Sequence, residues 1–229
     1  MVKDVLFDLD DTLFDFHADE RVALERALSE VGVPFTDEVR GRYSVINEAQ
    51  WKALERGEIS REQVKKRRFE LLFEELQKPL EQGMQVAESY PKYLAETFHY
   101  MPGAPELLEL LYGNYRMFLV SNGNLSVQEG RLAKSGIGRY FEGIYISEVL
   151  GAEKPSKLFF DRAFSDVEDF DPAQAVIVGD SLTSDMQGGI AAGIRTIWFN
   201  PYKKAAHPDI KVDYEIAKLR ELPELLQKL

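Results

Sequence analysis

Three aspartates follow a short apolar run near the start of the chain, in the segment VLFDLDDTLF at residues 5–14. Neighbouring carboxylates repel one another, and a charged group is costly to keep beside apolar surface. A bound cation and its ligand would offset that cost. The segment therefore predicts a buried strand with a reactive end, where Asp8 and Asp10 are the candidate catalytic groups. We expect Asp10 to lie just past the strand, where the backbone turns.

Polar side chains also follow later apolar segments. If they converge with Asp8 and Asp10, several carboxylates share one cleft, and their pKa values would rise unless a cation were bound. An all-oxygen site of this kind suits a hard ion such as Mg²⁺, which a phosphate group would help to coordinate. The set consists of Ser121, Asn122 and Gly123 after one segment, Asp180 and Asp185 after another, and Lys154, which alone brings a positive charge.

The elements that must position these groups alternate between strands and helices. Short runs rich in valine, isoleucine and leucine read as buried parallel strands, and helical patterns separate them. This order predicts an α/β fold with a doubly wound parallel sheet, in which ligands bind beyond the carboxyl ends of the strands. The predicted strands are Val5–Leu9, Met117–Val120, Ala175–Val178 and Thr196–Phe199, with Ile144–Ile146 as a fifth.

The region from His17 to about Phe98 has helical periodicity and no convincing strand. Ser60 and Gln63 fit a capping box at the start of one of its helices, and Pro91 is expected to kink or break another. The basic run KKRRF at residues 65–69 reads as a solvated helix face. The sequence therefore predicts a helical insertion after the first strand of the α/β core.

Four motifs, in this order, carry a resemblance to a known superfamily. They are DLDDT at Asp8–Thr12, SNG at Ser121–Gly123, KP at Lys154–Pro155 and GDSLTSD at Gly179–Asp185. With them the chain resembles the haloacid dehalogenase superfamily of phosphatases over essentially its whole length. The resemblance implies a Rossmann-like core at residues 1–16 and 98–229, and a helical cap of the first type at residues 17–97.

The resemblance also implies a role for each motif residue. Asp8 would be the nucleophile that forms an aspartyl-phosphate, and Asp10 would protonate the leaving alcohol and then deprotonate water. Ser121 and Lys154 would hold phosphate oxygens, while Thr12 and the Asn122 backbone would help to position the site. Mg²⁺ would be bound by the Asp8 side chain, the Asp10 carbonyl and Asp180, with Asp185 supporting its water shell.

Within the superfamily, Asp10 favours phosphoryl chemistry, because the dehalogenases and ion-pumping ATPases lack an aspartate at this position. Thr12 favours a phosphatase over a phosphomutase. The TLFDF continuation and the QGGIAAGI segment after the last motif look similar to the bacterial pyrimidine 5′-nucleotidase branch. The expected partner is a small-molecule phosphate ester, with phosphoglycolate and sugar phosphates as alternative substrates. Tyr43 and Trp51 are expected in the cap core, with stacking on a base as the alternative.

The composition argues against several other classes of protein function. A net charge of −11 argues against binding a nucleic-acid polymer, and the chain contains no cysteine for a disulfide, a thiolate metal site or a cysteine nucleophile. With no apolar leader and no apolar run of about 20 residues, the expected location is cytoplasmic, without a membrane partner.

A non-catalytic binding module of the same fold and a phosphoacceptor receiver domain are the rival functional classes. The oligomeric state stays open.

Overall fold

A six-stranded parallel sheet forms the centre of the molecule in the computed structural model, which describes residues 1–229. The strand order is β3-β2-β1-β4-β5-β6, so the chain leaves β1 first towards one edge and later towards the other. The predicted α/β fold with a doubly wound parallel sheet is confirmed, and the five predicted strands are present. The strands are β1 Asp4–Phe7, β2 Arg116–Ser121, β3 Gly143–Ile146, β4 Ala175–Gly179, β5 Arg195–Phe199 and β6 Tyr214–Ile216.

The register of the central strands brings their carboxyl ends together. Phe7 at the end of β1 pairs with Leu119 of β2 and Val178 of β4, and the Asp8 amide donates to the Val178 carbonyl at 3.0 Å. The strand order reverses at β1, which makes this edge a topological switch point. The segments that follow β1, β2 and β4 therefore meet at one place.

Alternating side chains of the sheet fill two apolar cores, one on each face. Val5 and Phe7 belong to one core and Leu6 to the other, as the two-residue period of a strand requires. Helices cover both faces. They are α5 Ala104–Leu111, α6 Leu125–Ser135, α7 Ser147–Leu150, α8 Lys157–Phe164, α9 Gln187–Ala192 and α10 Leu222–Leu226.

Four helices occupy the segment between β1 and α5. They enclose an apolar core of their own, in which the rings of Tyr43, Phe69 and Tyr90 contact one another. Tyr43 thus lies in the core of these helices, as expected. That residues 17–97 form a separate domain stays a prediction. The helices are α1 Phe16–Glu30, α2 Asp37–Glu55, α3 Arg61–Glu75 and α4 Leu80–Ala95.

Three local predictions in these helices have different outcomes. The capping box is present, with both Ser60–Gln63 bonds formed. Helix α4 continues past Pro91 to Ala95, so the proline does not break it. The solvated-face interpretation of the basic run is wrong for Arg68, which is buried and donates to Asn47 at 2.9 Å.

Helix α4 also packs on α6 beside the sheet. A Cβ atom on Gly130 would lie 2.7 Å from the Ala95 carbonyl oxygen, so glycine permits this close approach. None of the helices combines the length and the apolar character that a membrane crossing requires.

Candidate active site

Lys154 lies at the centre of the converging groups and is almost completely buried, with 1% of its surface exposed. Its Nζ atom donates to Asp8 Oδ1 at 2.7 Å, to Asp185 Oδ1 at 2.6 Å and to the Val120 carbonyl at 2.8 Å. Three bonds satisfy all three protons of an ammonium group. The lysine therefore joins the ends of β1 and β2 to the loop after β4.

Asn122 fixes the backbone of Lys154 by a pair of hydrogen bonds. Its Nδ2 atom donates to the Lys154 carbonyl, and its Oδ1 atom accepts from the Lys154 amide, both at 2.9 Å. The same Nδ2 atom donates to Ser184 Oγ at 3.2 Å. The predicted role for Asn122 concerned its backbone, whereas the structure shows its side chain positioning the lysine.

Asp8 is 7% exposed and accepts a second bond, from Thr12 Oγ1 to its Oδ2 atom at 3.3 Å. Asp11 turns the chain back between these two residues with a left-handed backbone, φ 57°. Its amide donates to the Phe14 carbonyl at 2.7 Å. This tight turn places Thr12 over Asp8 and sets Asp10 beyond the strand, as expected.

The loop after β4 depends on a glycine. A Cβ atom on Gly179 would lie 2.3 Å from Asp185 Oδ2, so only glycine lets that carboxylate fold back on the strand end. Asp185 Oδ2 accepts from the Ser181 amide at 3.1 Å, and Ser181 in turn caps the π-helical turn Leu182–Met186. These contacts explain why GDSLTSD holds a carboxylate at a fixed position.

Asp8, Asp180 and Asp185 offer carboxylate oxygens that all lie within 4.8 Å of one another. Burial raises the pKa of Asp8 well above its usual value; the nearby Asp185 charge raises it further, and Lys154 opposes both. Burial likewise raises the pKa of Asp180. Asp8 and Asp185 are buried and Asp180 is partly exposed. A cluster of carboxylate oxygens whose negative charge is incompletely balanced fits a hard divalent cation such as Mg²⁺.

Two positively charged side chains that the sequence did not indicate also contact carboxylates of the site. Lys204, from the loop after β5, donates to Asp180 Oδ2 at 2.9 Å, and Arg131 of α6 bonds to Asp10. The expectation that Lys154 alone brings positive charge is therefore wrong. Lys204 comes from a polar loop, and Arg131 from a helix with no motif of its own.

Asp10 and Ser121 are connected through Gln128 of α6. Gln128 Nε2 donates to Asp10 Oδ2 at 2.7 Å and to Ser121 Oγ at 3.0 Å. Ser121 Oγ also accepts from the Gly123 amide at 3.0 Å. The structure thus brings together all the side chains predicted for the site: Asp8, Asp10, Thr12, Ser121, Asn122, Lys154, Asp180 and Asp185.

Several contacts join the helical segment to this edge of the sheet, among them the bonds of Arg61 and a bond from the Thr183 hydroxyl to Glu55 of α2. Arg61, the first residue of α3, donates to the Asn122 carbonyl at 2.7 Å and to the Gly123 carbonyl at 3.3 Å. Its guanidinium carbon lies 5.7 Å from the centre of the Trp51 ring. Trp51, partly exposed, therefore lies near the SNG segment rather than in the apolar core of the four helices, where it was expected.

Comparison with known proteins agrees with this geometry. A sequence model of the haloacid dehalogenase-like hydrolase family matches residues 2–193. Pyrimidine 5′-nucleotidase PynA of Streptococcus pneumoniae is 38% identical over 227 residues, covering 99% of this chain and 95% of that protein. Pyrimidine 5′-nucleotidase YjjG of Escherichia coli is 34% identical over 224 residues, covering 98% and 97%.

A solved structure of a related hydrolase has the same fold as this chain. The structure of HAD-hydrolase YfnB from Bacillus subtilis, bound to magnesium, has a TM-score of 0.93 and 35% identity, covering 98% of both chains. These comparisons confirm the predicted enzyme class, a phosphoric monoester hydrolase. They also confirm the resemblance to the nucleotidase branch, since the two nucleotidases align with nearly the whole chain. The protein belongs to the haloacid dehalogenase-like hydrolase family.

Proposed function

We propose that this hydrolase is a Mg²⁺-dependent phosphatase that cleaves small phosphate monoesters through an aspartyl-phosphate on Asp8. The observation that carries the proposal is the environment of Asp8. Its carboxylate lies at the end of the central strand, Lys154 and Thr12 bind its two oxygens, and two further carboxylates face it, the buried Asp185 and the partly exposed Asp180. A nucleophile needs such fixed orientation.

The residues present fit a magnesium ion. Asp8 and Asp180 would contribute carboxylate oxygens, and the Asp10 carbonyl would be a further ligand, while Asp185 would orient water around the ion. When bound, the ion draws the substrate phosphate to the acidic site and offsets the negative charge of the phosphoryl group. Lys154 keeps Asp8 and Asp185 in place beside it.

The reaction has two displacements at phosphorus. An Asp8 oxygen attacks, a bond from that oxygen to phosphorus forms, and the bond from phosphorus to the ester oxygen breaks. Asp10 gives its proton to the departing alcohol. Water then attacks the aspartyl-phosphate, Asp10 takes the proton of that water, and the Asp8 oxygen leaves, which releases inorganic phosphate and restores both carboxyl groups.

The phosphate-binding groups would be the Ser121 hydroxyl, the Asn122 amide segment and Lys154, which would exchange one of its three bonds for a phosphoryl oxygen, with Thr12 orienting Asp8. Ser121 lies on the same strand end that supplies the Val120 carbonyl to Lys154. A cation and a hydroxyl directed at the phosphoryl oxygens stabilise charge in the transition state. These groups come from separate strand ends, so the sheet itself sets their spacing.

We assign residues 17–97 as a cap and residues 1–16 and 98–229 as the catalytic core. A helical lid over the strand ends excludes water and contacts the leaving group. The Arg61 bonds to the SNG segment are suited to holding such a lid closed. An enclosed site favours a small ester, and similarity to pyrimidine 5′-nucleotidases favours pyrimidine nucleoside 5′-monophosphates.

Phosphate release across a panel of esters tests this proposal. The panel contains nucleoside monophosphates, sugar phosphates and phosphoglycolate, each assayed with Mg²⁺ and with EDTA. We expect kcat/KM to be highest for pyrimidine nucleoside monophosphates, and release to stop in EDTA and return when Mg²⁺ is restored. Another preferred ester would overturn the substrate assignment alone. Release that persists in EDTA would contradict the metal assignment, and no release from any ester would contradict the phosphatase.

A further inference from the structure

Two side chains of α6 occupy both oxygens of the Asp10 carboxylate. Arg131 Nη1 donates to Oδ1, and Gln128 Nε2 donates to Oδ2 at 2.7 Å. Arg131 Nη1 also donates to Gln128 Oε1 at 3.0 Å. The two residues are three positions apart on one helix face, and both are almost completely buried. Asp10 is therefore held by a rigid pair rather than by mobile surface groups.

The other side of Arg131 is held by the first helix of the inserted segment. Nη2 donates to Asp19 Oδ2 at 2.5 Å, and neither side chain has exposed surface. Asp19 Oδ1 lies 2.7 Å from His99 Nδ1, on the segment that returns from the insertion. The guanidinium carbon also lies 4.8 Å from the centre of the Phe14 ring. Its planar fork is thus fixed between two carboxylates.

A purely structural role explains this network poorly. A buried ion network contributes little net stability compared with apolar packing of similar volume. It does fix the position of a carboxylate closely, because each oxygen has a defined donor. Asp10 is the member of the network that Arg131 binds directly and that also lies beside the proposed reaction centre; Ser121 joins it only through Gln128.

We propose that Arg131, assisted by Gln128, is a positioning residue that holds the Asp10 carboxyl group where it exchanges protons with the leaving alcohol and the attacking water. This inference rests on the proposed function of Asp10. The proton moves between Asp10 and the ester oxygen in the first displacement and between water and Asp10 in the second, and Arg131 neither gains nor loses one. Through Gln128, the same carboxyl group keeps a fixed spacing from Ser121.

The test compares two esters that differ in their need for a proton donor. A nucleoside monophosphate releases a poor, alkoxide-like leaving group, whereas p-nitrophenyl phosphate releases a stable phenolate. Arg131→Met should lower kcat for the nucleotide about 10²-fold, the effect of a small misplacement of a catalytic group. The loss of kcat/KM for p-nitrophenyl phosphate, which reports only the first displacement, should be much smaller, with KM for the nucleotide little changed. Combining Arg131→Met with Asp10→Asn should slow the nucleotide reaction no further than Asp10→Asn alone.

Arg116→Met is the matched control, because Arg116 Nε binds the buried Asp4 at 2.6 Å at the opposite end of the sheet. It should lower Tm without changing the ratio of the two esters. If Arg131→Met does not fold, Gln128→Leu leaves both Arg131 ion pairs in place and should show a smaller loss with the same ester preference.

Two results would overturn the inference. One is an equal loss of kcat/KM on both esters, and the other is a loss that adds to that of Asp10→Asn; either would mean that Arg131 only supports the fold. The wild-type enzyme and Asp10→Asn separate this failure from a wider one. If Asp10→Asn itself has no ester preference, the proposed role of Asp10 fails as well. If it has one and the α6 variants do not, only the role of Arg131 fails.

Discussion

Asp8→Asn is expected to lower kcat/KM for phosphate esters by about 10⁴- to 10⁶-fold, as removal of other covalent nucleophiles does. The amide is a poor nucleophile at phosphorus, and it cannot form the acyl phosphate. The side chain keeps its size, its amide oxygen can still accept from Lys154, and its amino group can donate to the Thr12 hydroxyl, so the fold should remain. Phosphate release in the presence of Mg²⁺, with circular dichroism to check folding, measures the effect.

Asp4→Asn is the control for this variant. Asp4 lies at the other end of β1, is also buried and is bound by Arg116. Its replacement removes a buried ion pair far from the strand ends, so stability should fall while activity per folded molecule stays. An Asp8→Asn enzyme that keeps most of its activity would exclude Asp8 as the nucleophile.

Asp10→Asn is expected to reduce turnover of a nucleoside monophosphate by about 10²- to 10⁴-fold, the usual contribution of general acid–base catalysis. Asparagine keeps an oxygen for Arg131 but has no proton to give to an alkoxide. With p-nitrophenyl phosphate the first displacement needs little proton donation, so the loss should be smaller. Steady-state rates on the two esters measure the difference.

The second displacement limits how far a good leaving group can rescue this variant. Water still has to lose a proton when it attacks the aspartyl-phosphate, so the aspartyl-phosphate should accumulate in Asp10→Asn when p-nitrophenyl phosphate is the substrate. A burst of nitrophenolate before the steady state would report that accumulation. Equal losses on both esters, without a burst, would contradict the acid–base role.

The sheet was predictable from sequence because its central strands are buried on both faces. Such strands read as continuous apolar runs, and the five that were predicted differ from the structure by one or two residues at their ends. Strand β6 was not predicted. Two of its three residues, Tyr214 and Glu215, are exposed at the sheet edge, so no apolar pattern marks it.

The site was predictable only where its residues are local to strand ends. Asp8 and Asp180 each follow a strand and Ser121 is the last residue of one, and parallel strands align those ends whatever the rest of the chain does. Gln128, Arg131 and Asp19 carry no such signal, since polar residues on helices usually face solvent. They are buried because α6 packs against α4, and because Arg131 of α6 pairs with Asp10 after β1 and with Asp19 of α1.

Arg68, in the inserted helices, is another polar residue whose burial the sequence pattern does not predict. A run of four basic residues favours a solvated face, and most of the run is solvated. Arg68 nevertheless lies on the buried face of α3. Its guanidinium carbon lies 4.9 Å from the centre of the Tyr90 ring. Side-chain type alone does not separate a buried cation from an exposed one, because the difference lies in the partners that tertiary packing supplies.

The location of the phosphoryl group during turnover tests the central claim most directly. The enzyme would be mixed with a substrate ester and Mg²⁺, quenched in acid within one turnover, digested and analysed by mass spectrometry, with Asp8→Asn treated in the same way. We expect one added phosphoryl group on the peptide that contains Asp8, and none on that peptide of the variant. A phosphoryl group on another residue, or active enzyme that never carries one at any quench time, would contradict covalent catalysis by Asp8.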